Sequence, residues 1–176
     1  MEARVDFFDL VRDRRSVRAY QRTPVEPEQL EKVLEAANQA PSAGNLQAYQ
    51  IYLARSDTTR ALLAQAAGGQ GFLTQAPVVL VFCADPGLST PRYGRRGAEL
   101  YCLQDATIAC SLAMLAATAL GLGTVWVGAF DPNAVRSAIQ APAEVTPVAI
   151  LPLGHPGETP RHPARRPFHE LVHEVS

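Results

Sequence analysis

The sequence has few cysteines and almost no net charge. Three cysteines occur in 176 residues and no two of them have CxxC spacing, so the sequence indicates neither a zinc knuckle nor a redox-active pair. The formal net charge is -1, which excludes a global field that would attract nucleic acid or an anionic membrane. Any site for an anion must therefore be a local cluster.

Nucleotide-binding signatures and targeting signals are also missing. GxGxxG and P-loop patterns do not occur, so a nicotinamide dinucleotide would bind transiently and not in a Rossmann fold. The charged residues 1–6 lack the apolar core of a secretory signal, and we expect a cytoplasmic protein. The uncharged run 106–130 is long enough to cross a bilayer, but the Gly121-Leu122-Gly123 break favours a buried helix followed by a strand.

The composition is that of one folded domain over residues 1–176. Apolar residues make up 47% of the chain and charged residues 19%, as in globular proteins. Helical and strand patterns alternate, which predicts an α/β or α+β fold with a mixed β-sheet flanked by helices. Predicted helices cover 5–13, 27–40, 57–67, 98–120 and a segment starting at 131, and predicted strands cover 50–54, 77–84, 124–129 and 147–153.

Two segments that contain prolines are predicted to lack regular structure. Residues 85–97 include Pro86 and Pro91 and are predicted to form a short exposed connection. The tail after Gly154 carries four more prolines, so we expect it to lie extended until a short helix at 168–174. An extended tail needs a surface to pack on, and we expect a partner subunit to supply that surface.

The predicted helix 106–120 indicates how the chain assembles. It has no polar face beyond Thr107, Ser111 and Thr118, and a helix that is apolar all round must be buried all round. Its many alanines permit the close approach of a second helix, so a homodimer is the favoured interpretation. A core formed entirely within one chain is the alternative.

Arginines cluster near both ends of the chain. Arg14, Arg15, Ser16 and Arg18 supply guanidinium and hydroxyl donors within five residues, which is the donor set that a phosphate dianion requires. Arg161, Arg165 and Arg166 form a second set. The two sets would form one anion site if the fold brings them together, and otherwise they are solvated surface.

The run from Pro41 to Gln47 is the second candidate for binding. Its Ser42, Asn45 and Gln47 side chains offer hydroxyl and amide groups on an irregular backbone, which suits a ring edge of alternating N–H and C=O groups. An ordinary polar turn is the alternative. We predict no metal site, although His169 and His173 are spaced i, i+4.

Seven sequence pieces occur in the order typical of one family. They cover residues 14–20 with Pro24 and Val25, 40–47, 75–79, 103–106, 121–123 with 126–130, 152–156, and 165–167. Together they make the chain resemble the nitroreductase family of FMN-dependent oxidoreductases over nearly its whole length. The resemblance implies a nitroreductase-like fold, a homodimer, FMN as cofactor, and NADH or NADPH as transient donor.

The resemblance also implies roles for individual residues. Arg14 and Ser16, with Arg165 or Arg166, would hold the FMN phosphate, and Arg15 would contribute nearby. Arg18 would approach the N1/O2 side of the ring and act as the catalytic residue, because a fixed cation there stabilises the anionic reduced flavin. The implied ring contacts are Pro41, Ser42, Asn45 and Gln47 from the partner subunit, the Gly128 and Ala129 backbone beside N5/O4, and Gln70 at the pyrimidine edge.

The predicted function is hydride transfer from NAD(P)H through FMN to a small acceptor such as a nitroaromatic or a quinone. An enzyme that fragments flavin, or a flavin-binding module without turnover, are the alternatives. Ala48-Tyr49 replaces the family's usual Pro followed by Trp, and the connection 85–97 is too short for the lid of longer relatives. We therefore expect an open site, and the identity of the acceptor is not inherited from those relatives.

Overall fold

The computed structural model describes residues 6–175 as an α+β domain. Its helices are α1 Phe7–Asp13, α2 Pro27–Asn38, α3 Asp57–Ala66, α4 Phe72–Gln75, α5 Pro86–Arg96, α6 Cys102–Ala119 and α7 Pro132–Ala138. Its strands are β1 Tyr49–Ala54, β2 Val78–Ala84, β3 Gly123–Thr124 and β4 Thr146–Gly154. Short 3-10 turns form at Ala43–Asn45 and Phe168–Glu170, and a π-helical turn spans Gly97–Tyr101.

The four strands form one sheet in the order β1-β2-β4-β3, and every strand pair is antiparallel. The expected sheet flanked by helices is confirmed. A mixed sheet was expected, but within the described residues the parallel pairing is limited to an isolated bridge between Ser16 and Thr124 at the β3 edge. Alternating helices and strands do not by themselves fix strand direction, because a helix can return the chain to either end of a sheet.

Strand β2 is the centre of the core and is buried over its whole length. Because successive side chains of a strand point to opposite faces, Leu80 and Phe82 pack on the side of α2 and α6. Val79 and Val81 pack on the other side, with residues of α3 and α7. This two-sided burial explains why the sequence of β2 is continuously apolar.

Several helix boundaries follow from local chemistry that the sequence displays. Ser56 Oγ accepts the Thr59 N–H at the start of α3, and the Asp131 carboxylate accepts two amide hydrogens at the start of α7. Gly68 and Gly69 follow α3 at φ values of 71° and 82°, a conformation that glycine adopts without strain. The predicted helices at these positions are confirmed.

Three predicted segments differ from the structure. Residues 85–97 form helix α5 and not an open connection, because Pro86 suits the first helical turn and Gly94 absorbs a kink at φ 56°. The strand predicted over 124–129 is reduced to β3 and a single bridge between Val127 and Ile150. The helix predicted at 168–174 is one 3-10 turn, and Val5, the expected first residue of α1, lies outside the described residues.

Helix α6 has one buried and one exposed face in the single chain, so the core formed within one chain does not bury it all round. Its alanines and cysteines pack against α2, β2 and β4. Thr107, Ile108 and Ser111 are exposed on the opposite face. Among residues 6–175, the continuous helical stretch Pro86–Ala119 is long and apolar enough to span a membrane, and its packing against the sheet is that of a core helix.

Candidate active site

The first arginine segment is fixed to the edge of the sheet. The Val17 N–H donates to the Thr124 carbonyl at 2.9 Å, next to the Ser16–Thr124 bridge. The Tyr20 hydroxyl donates to the Val17 carbonyl at 2.8 Å, and both Val17 and Tyr20 are buried. Two apolar anchors therefore hold a backbone whose neighbouring arginines remain partly or fully exposed.

The chain that leaves β4 runs antiparallel to this segment. Gln21 N–H donates to the His155 carbonyl at 3.0 Å, and Gly157 N–H donates to the Ala19 carbonyl at 2.8 Å. The Arg18 backbone N–H donates to the Glu158 carboxylate at 2.5 Å. This pairing brings the C-terminal arginines to the N-terminal ones.

The two arginine sets meet at one cavity of about 390 Å³. Its lining residues are Arg14, Arg15, Ser16, Arg18, Pro160, Arg161, Pro163 and Arg165. No acidic side chain is among them. We call this the arginine cavity.

Two of the predicted phosphate ligands are less available than expected. Arg166 does not line the arginine cavity, because its guanidinium pairs with the Glu170 carboxylate at 3.4 Å. Arg15 lines the cavity, but its Nη1 donates to the carbonyls of Arg12 and Arg14. Arg161 lines the arginine cavity together with Arg165, one of the two arginines that the resemblance had named.

Positive charge is concentrated in the arginine cavity. The pKa of Arg14 is lowered by partial burial first, and then by the neighbouring charges of Arg165 and Arg15. Repulsion among guanidinium groups raises the free energy of this arrangement. A bound anion relieves that repulsion, so the arrangement favours a phosphate group.

The loop from Pro41 to Gln47 has an unusual backbone held by its own side chains. Gly44, Asn45 and Gln47 have φ values of 59°, 57° and 45°. Ser42 Oγ accepts hydrogen bonds from the backbone N–H and from Nε2 of Gln47, at 3.0 and 3.2 Å. Gln47 Nε2 also donates to the Asn45 carbonyl and Oδ1, each at 2.7 Å. The three predicted ring-binding side chains therefore form one hydrogen-bonded group.

Helix α5 covers part of this loop, and sequence reasoning missed it. Arg92 Nη1 donates to the Gly44 carbonyl at 3.3 Å. A Cβ at Gly44 would crowd the side-chain ends of Arg92 and Tyr93, and the φ of 59° also favours glycine there. The segment expected to leave the site open instead places a helix against the predicted binding loop.

A second cavity, of about 570 Å³, joins the loop to the exposed face of α6. Its lining residues are Pro41, Ser42, Ala43, Tyr101, Leu103, Gln104, Asp105, Thr107 and Ile108. Asp105 is 1% exposed and contacts the loop directly, although no role was predicted for it. Its side chain accepts the amide hydrogens of Ala43 and Ala48.

The remaining predicted ring contacts lie elsewhere on the chain. Gln70 is in the turn between α3 and α4, where Nε2 donates to the Ala67 carbonyl at 2.9 Å. Gly128 and Ala129 are exposed and directly follow Val127, which pairs with Ile150. None of the three lines the arginine cavity or the cavity at α6.

One metal-binding pattern was overlooked in the sequence. Residues 169–173 read HELVH, the HExxH letters of many zinc proteases. That motif needs both histidines on one face of an α-helix, whereas here only Phe168–Glu170 forms a 3-10 turn. Glu170 pairs with Arg166, and the described residues contain no group of three potential metal ligands.

The sequence model of the Nitroreductase family matches residues 11–70 and 58–155, which include the first arginine segment, the loop and all four strands. This chain belongs to the Nitroreductase family. A family member from Thermus thermophilus, named NADH dehydrogenase, is 32% identical over 186 residues, covering 90% of this chain and 91% of that protein.

Two further relatives carry FMN in their names. The FMN reductase (NAD(P)H) of Bacillus subtilis is 34% identical over 175 residues, covering 92% of this chain and 70% of that protein. A solved structure of NADPH:FMN oxidoreductase from Vibrio harveyi, complexed with NAD+, matches with a TM-score of 0.87 and 28% identity, covering 96% of this chain and 76% of that chain. The nitroreductase-like fold is thereby confirmed.

Proposed function

We propose that this chain is an FMN-dependent oxidoreductase that takes a hydride from NADH or NADPH and reduces a small acceptor, such as a nitroaromatic or a quinone. The observation that carries the proposal is the arginine cavity, which is lined by arginines from both ends of the chain and has no acidic residue among its lining residues. The names of the relatives, FMN reductase and NADPH:FMN oxidoreductase, support the same cofactor and donor.

The residues present fit the phosphate of FMN. A phosphate dianion accepts several charge-assisted hydrogen bonds, and Arg14, Ser16 and Arg165 supply donors from both sides of the arginine cavity. Arg161 is the fourth donor in place of Arg166, and Arg15 adds positive charge nearby. These groups bind and orient the cofactor and do not take part in the chemistry.

The ring of the cofactor would lie against the loop that carries Pro41, Ser42, Asn45 and Gln47. FMN supplies the two-electron chemistry when it is bound. The loop contributes fixed amide and hydroxyl groups, with the Gly128–Ala129 backbone and Gln70 as further ring contacts carried over from the resemblance.

Arg18 is the proposed catalytic residue. Its side chain lines the arginine cavity and has no ion pair within residues 6–175. Its backbone N–H, and not its guanidinium, donates to Glu158. The guanidinium is therefore available as a positive charge beside the ring edge that becomes negative on reduction.

A homodimer would complete this site. Ile108 on α6 is 36% exposed, and the large exposed apolar side chains also include Phe7 and Phe8 of α1 and Phe168 of the tail. Burial of these groups by a second copy, with the tail packed on the partner subunit, removes apolar surface from water. Three free and buried cysteines are consistent with a reducing, cytoplasmic location.

Sedimentation tests the assembly. Wild-type protein is expected to sediment as a dimer, and Ile108→Glu as a monomer, because a charge on the α6 face opposes burial. Leu62→Glu, on the exposed side of α3, is the matched control and should remain dimeric. A monomeric wild type would exclude a shared site.

The function itself is tested by anaerobic stopped-flow spectroscopy of protein loaded with FMN. Bleaching of the flavin absorbance by NADH or NADPH, followed by recovery on addition of a quinone or nitroaromatic, is the expected result. Bound FMN that is not bleached by either donor would make the chain a binding module. Fragmented flavin after exposure to air would identify a flavin-degrading enzyme instead.

A further inference from the structure

The loop from Pro41 to Gln47 is attached to the core by one buried carboxylate, which binds one amide within the loop and one directly after it. Asp105 Oδ1 accepts the Ala43 N–H at 3.0 Å, and Oδ2 accepts the Ala48 N–H at 3.2 Å. Asp105 lies on α6, 62 and 57 positions away along the chain. One side chain of the core helix thus fixes the separation between Ala43, inside the loop, and Ala48, directly after it.

The loop needs such an anchor because its conformation is costly. Asn45 and Gln47 adopt positive φ values, which non-glycine residues rarely populate without support from surrounding structure. The Ser42, Asn45 and Gln47 hydrogen bonds close the loop internally, but they do not attach it to the core. Two side chains from distant elements hydrogen-bond to the loop, namely Asp105 on α6 and Arg92 on α5.

The burial of Asp105 argues against an incidental contact. A buried carboxylate is unfavourable unless its oxygens are hydrogen-bonded. Asp105 is 1% exposed and forms no ion pair within residues 6–175, so amide hydrogens of the loop are the donors that compensate it. The cost of burying the charge is recovered only while the loop keeps this shape.

We propose that Asp105 is a positioning residue for the flavin, which holds the Pro41–Gln47 loop in the shape that binds the ring. This inference rests on the proposed function, since it assumes that the loop contacts FMN. Asp105 acts through the Ala43 and Ala48 amides and is not itself a ring contact.

Asp105→Asn is the decisive variant. Asparagine has one carbonyl oxygen where aspartate has two acceptor oxygens, so its NH2 group must face one of the two amide donors. We expect the FMN dissociation constant to rise about ten- to a hundredfold, the loss typical of a hydrogen bond to a charged group. Riboflavin affinity should fall by the same factor, because the loop serves the ring.

Cys110→Ala is the matched control for loss of core stability. Cys110 is buried on the same helix, and the Ala43 and Ala48 amides donate to Asp105 and not to it. It should lower the melting temperature while FMN affinity stays within about twofold. If both variants lose affinity in proportion to melting temperature, Asp105 is a general core residue and the inference is wrong.

Amide hydrogen exchange of the full-length wild type tests the inference even if the Asp105→Asn variant does not fold. The Ala43 and Ala48 amides should be protected without FMN, and in Asp105→Asn they should exchange at least about tenfold faster. Free exchange of both amides in the wild type would overturn the inference. Failure of the proposed function is distinguishable, because the wild type would then bind no FMN although these amides remain protected.

Discussion

The arginine cavity and the Pro41–Gln47 loop are built in opposite ways. The arginine cavity gathers exposed, like-charged side chains from both ends of the chain on a backbone anchored by Val17 and Tyr20. The loop draws polar side chains from one short segment, which bond to one another and to buried Asp105. Under the proposed function, the phosphate end would be completed by its ligand, whereas the ring end would be shaped before the ligand arrives.

The largest effect should come from removing charge at the phosphate end. Arg161→Gln combined with Arg165→Gln is expected to weaken FMN binding by about a hundredfold, because each charge-assisted contact contributes about 1.5 kcal/mol or more. Isothermal titration calorimetry with FMN and with riboflavin measures this. Riboflavin has no phosphate, so its affinity should change little.

Arg166→Gln is the control for that double variant. Its guanidinium pairs with Glu170 outside the arginine cavity, and FMN affinity should stay within about twofold. A loss as large as that of the double variant would show that the tail is rearranged when FMN binds.

Ser42→Ala tests the loop and should have a smaller effect. Removing Oγ leaves the backbone N–H and Nε2 of Gln47 without this acceptor, and we expect about a tenfold loss of affinity. The loss should be equal for FMN and riboflavin, in contrast to the phosphate end. A loss confined to FMN would remove the distinction between the two regions.

Arg18→Gln decides to which region Arg18 belongs. Beside the ring, its charge contributes about 1 to 2 kcal/mol to the reduced state after solvent relaxation, so the midpoint potential should fall by about 20 to 45 mV. Spectroelectrochemical titration of fully loaded protein measures the shift. A change below about 10 mV, together with weaker FMN binding, would make Arg18 a phosphate ligand.

Tyr20→Phe is expected to give the smallest effect and tests the anchor of the arginine segment. Losing the hydrogen bond to the Val17 carbonyl should lower the free energy of unfolding by about 1 kcal/mol at neutral pH. Burial, followed by the nearby Glu158 charge, raises the pKa of Tyr20. FMN affinity should fall only slightly, because the arginines themselves remain.

The pH dependence of that variant follows from the direction of the pKa shift. A raised pKa means that the folded state keeps the neutral hydroxyl while tyrosine in the unfolded chain ionises above pH about 10. Wild-type stability should therefore fall above that pH more steeply than the stability of Tyr20→Phe. Urea titrations of both proteins from pH 7 to 11 would measure the difference. The same dependence of the free energy of unfolding on pH in both proteins would contradict the prediction.

Local patterns in the sequence predicted much of the fold. The strand β2 and the helices α2, α3 and α7 were predicted close to their positions, because each depends on neighbours within a few residues. Helix α5 was missed because prolines within it suggested a loop, whereas a kink at Gly94 accommodates the helix. The exposed face of α6 shows that an apolar sequence predicts burial of a helix but not which surface packs against it.

For the site, the sequence by itself determined the chemistry of the groups: guanidinium donors near both termini and a polar loop after α2. Only the tertiary structure decided which of them meet. Antiparallel pairing of residues 19–21 with 155–157 brings Arg161 and Arg165 to Arg14, while a local ion pair holds Arg166 elsewhere. The role of Asp105 as an anchor could not be predicted from the sequence either. Its hydrogen bonds join residues about 60 positions apart, so they depend on how α6 packs and leave no local sequence pattern.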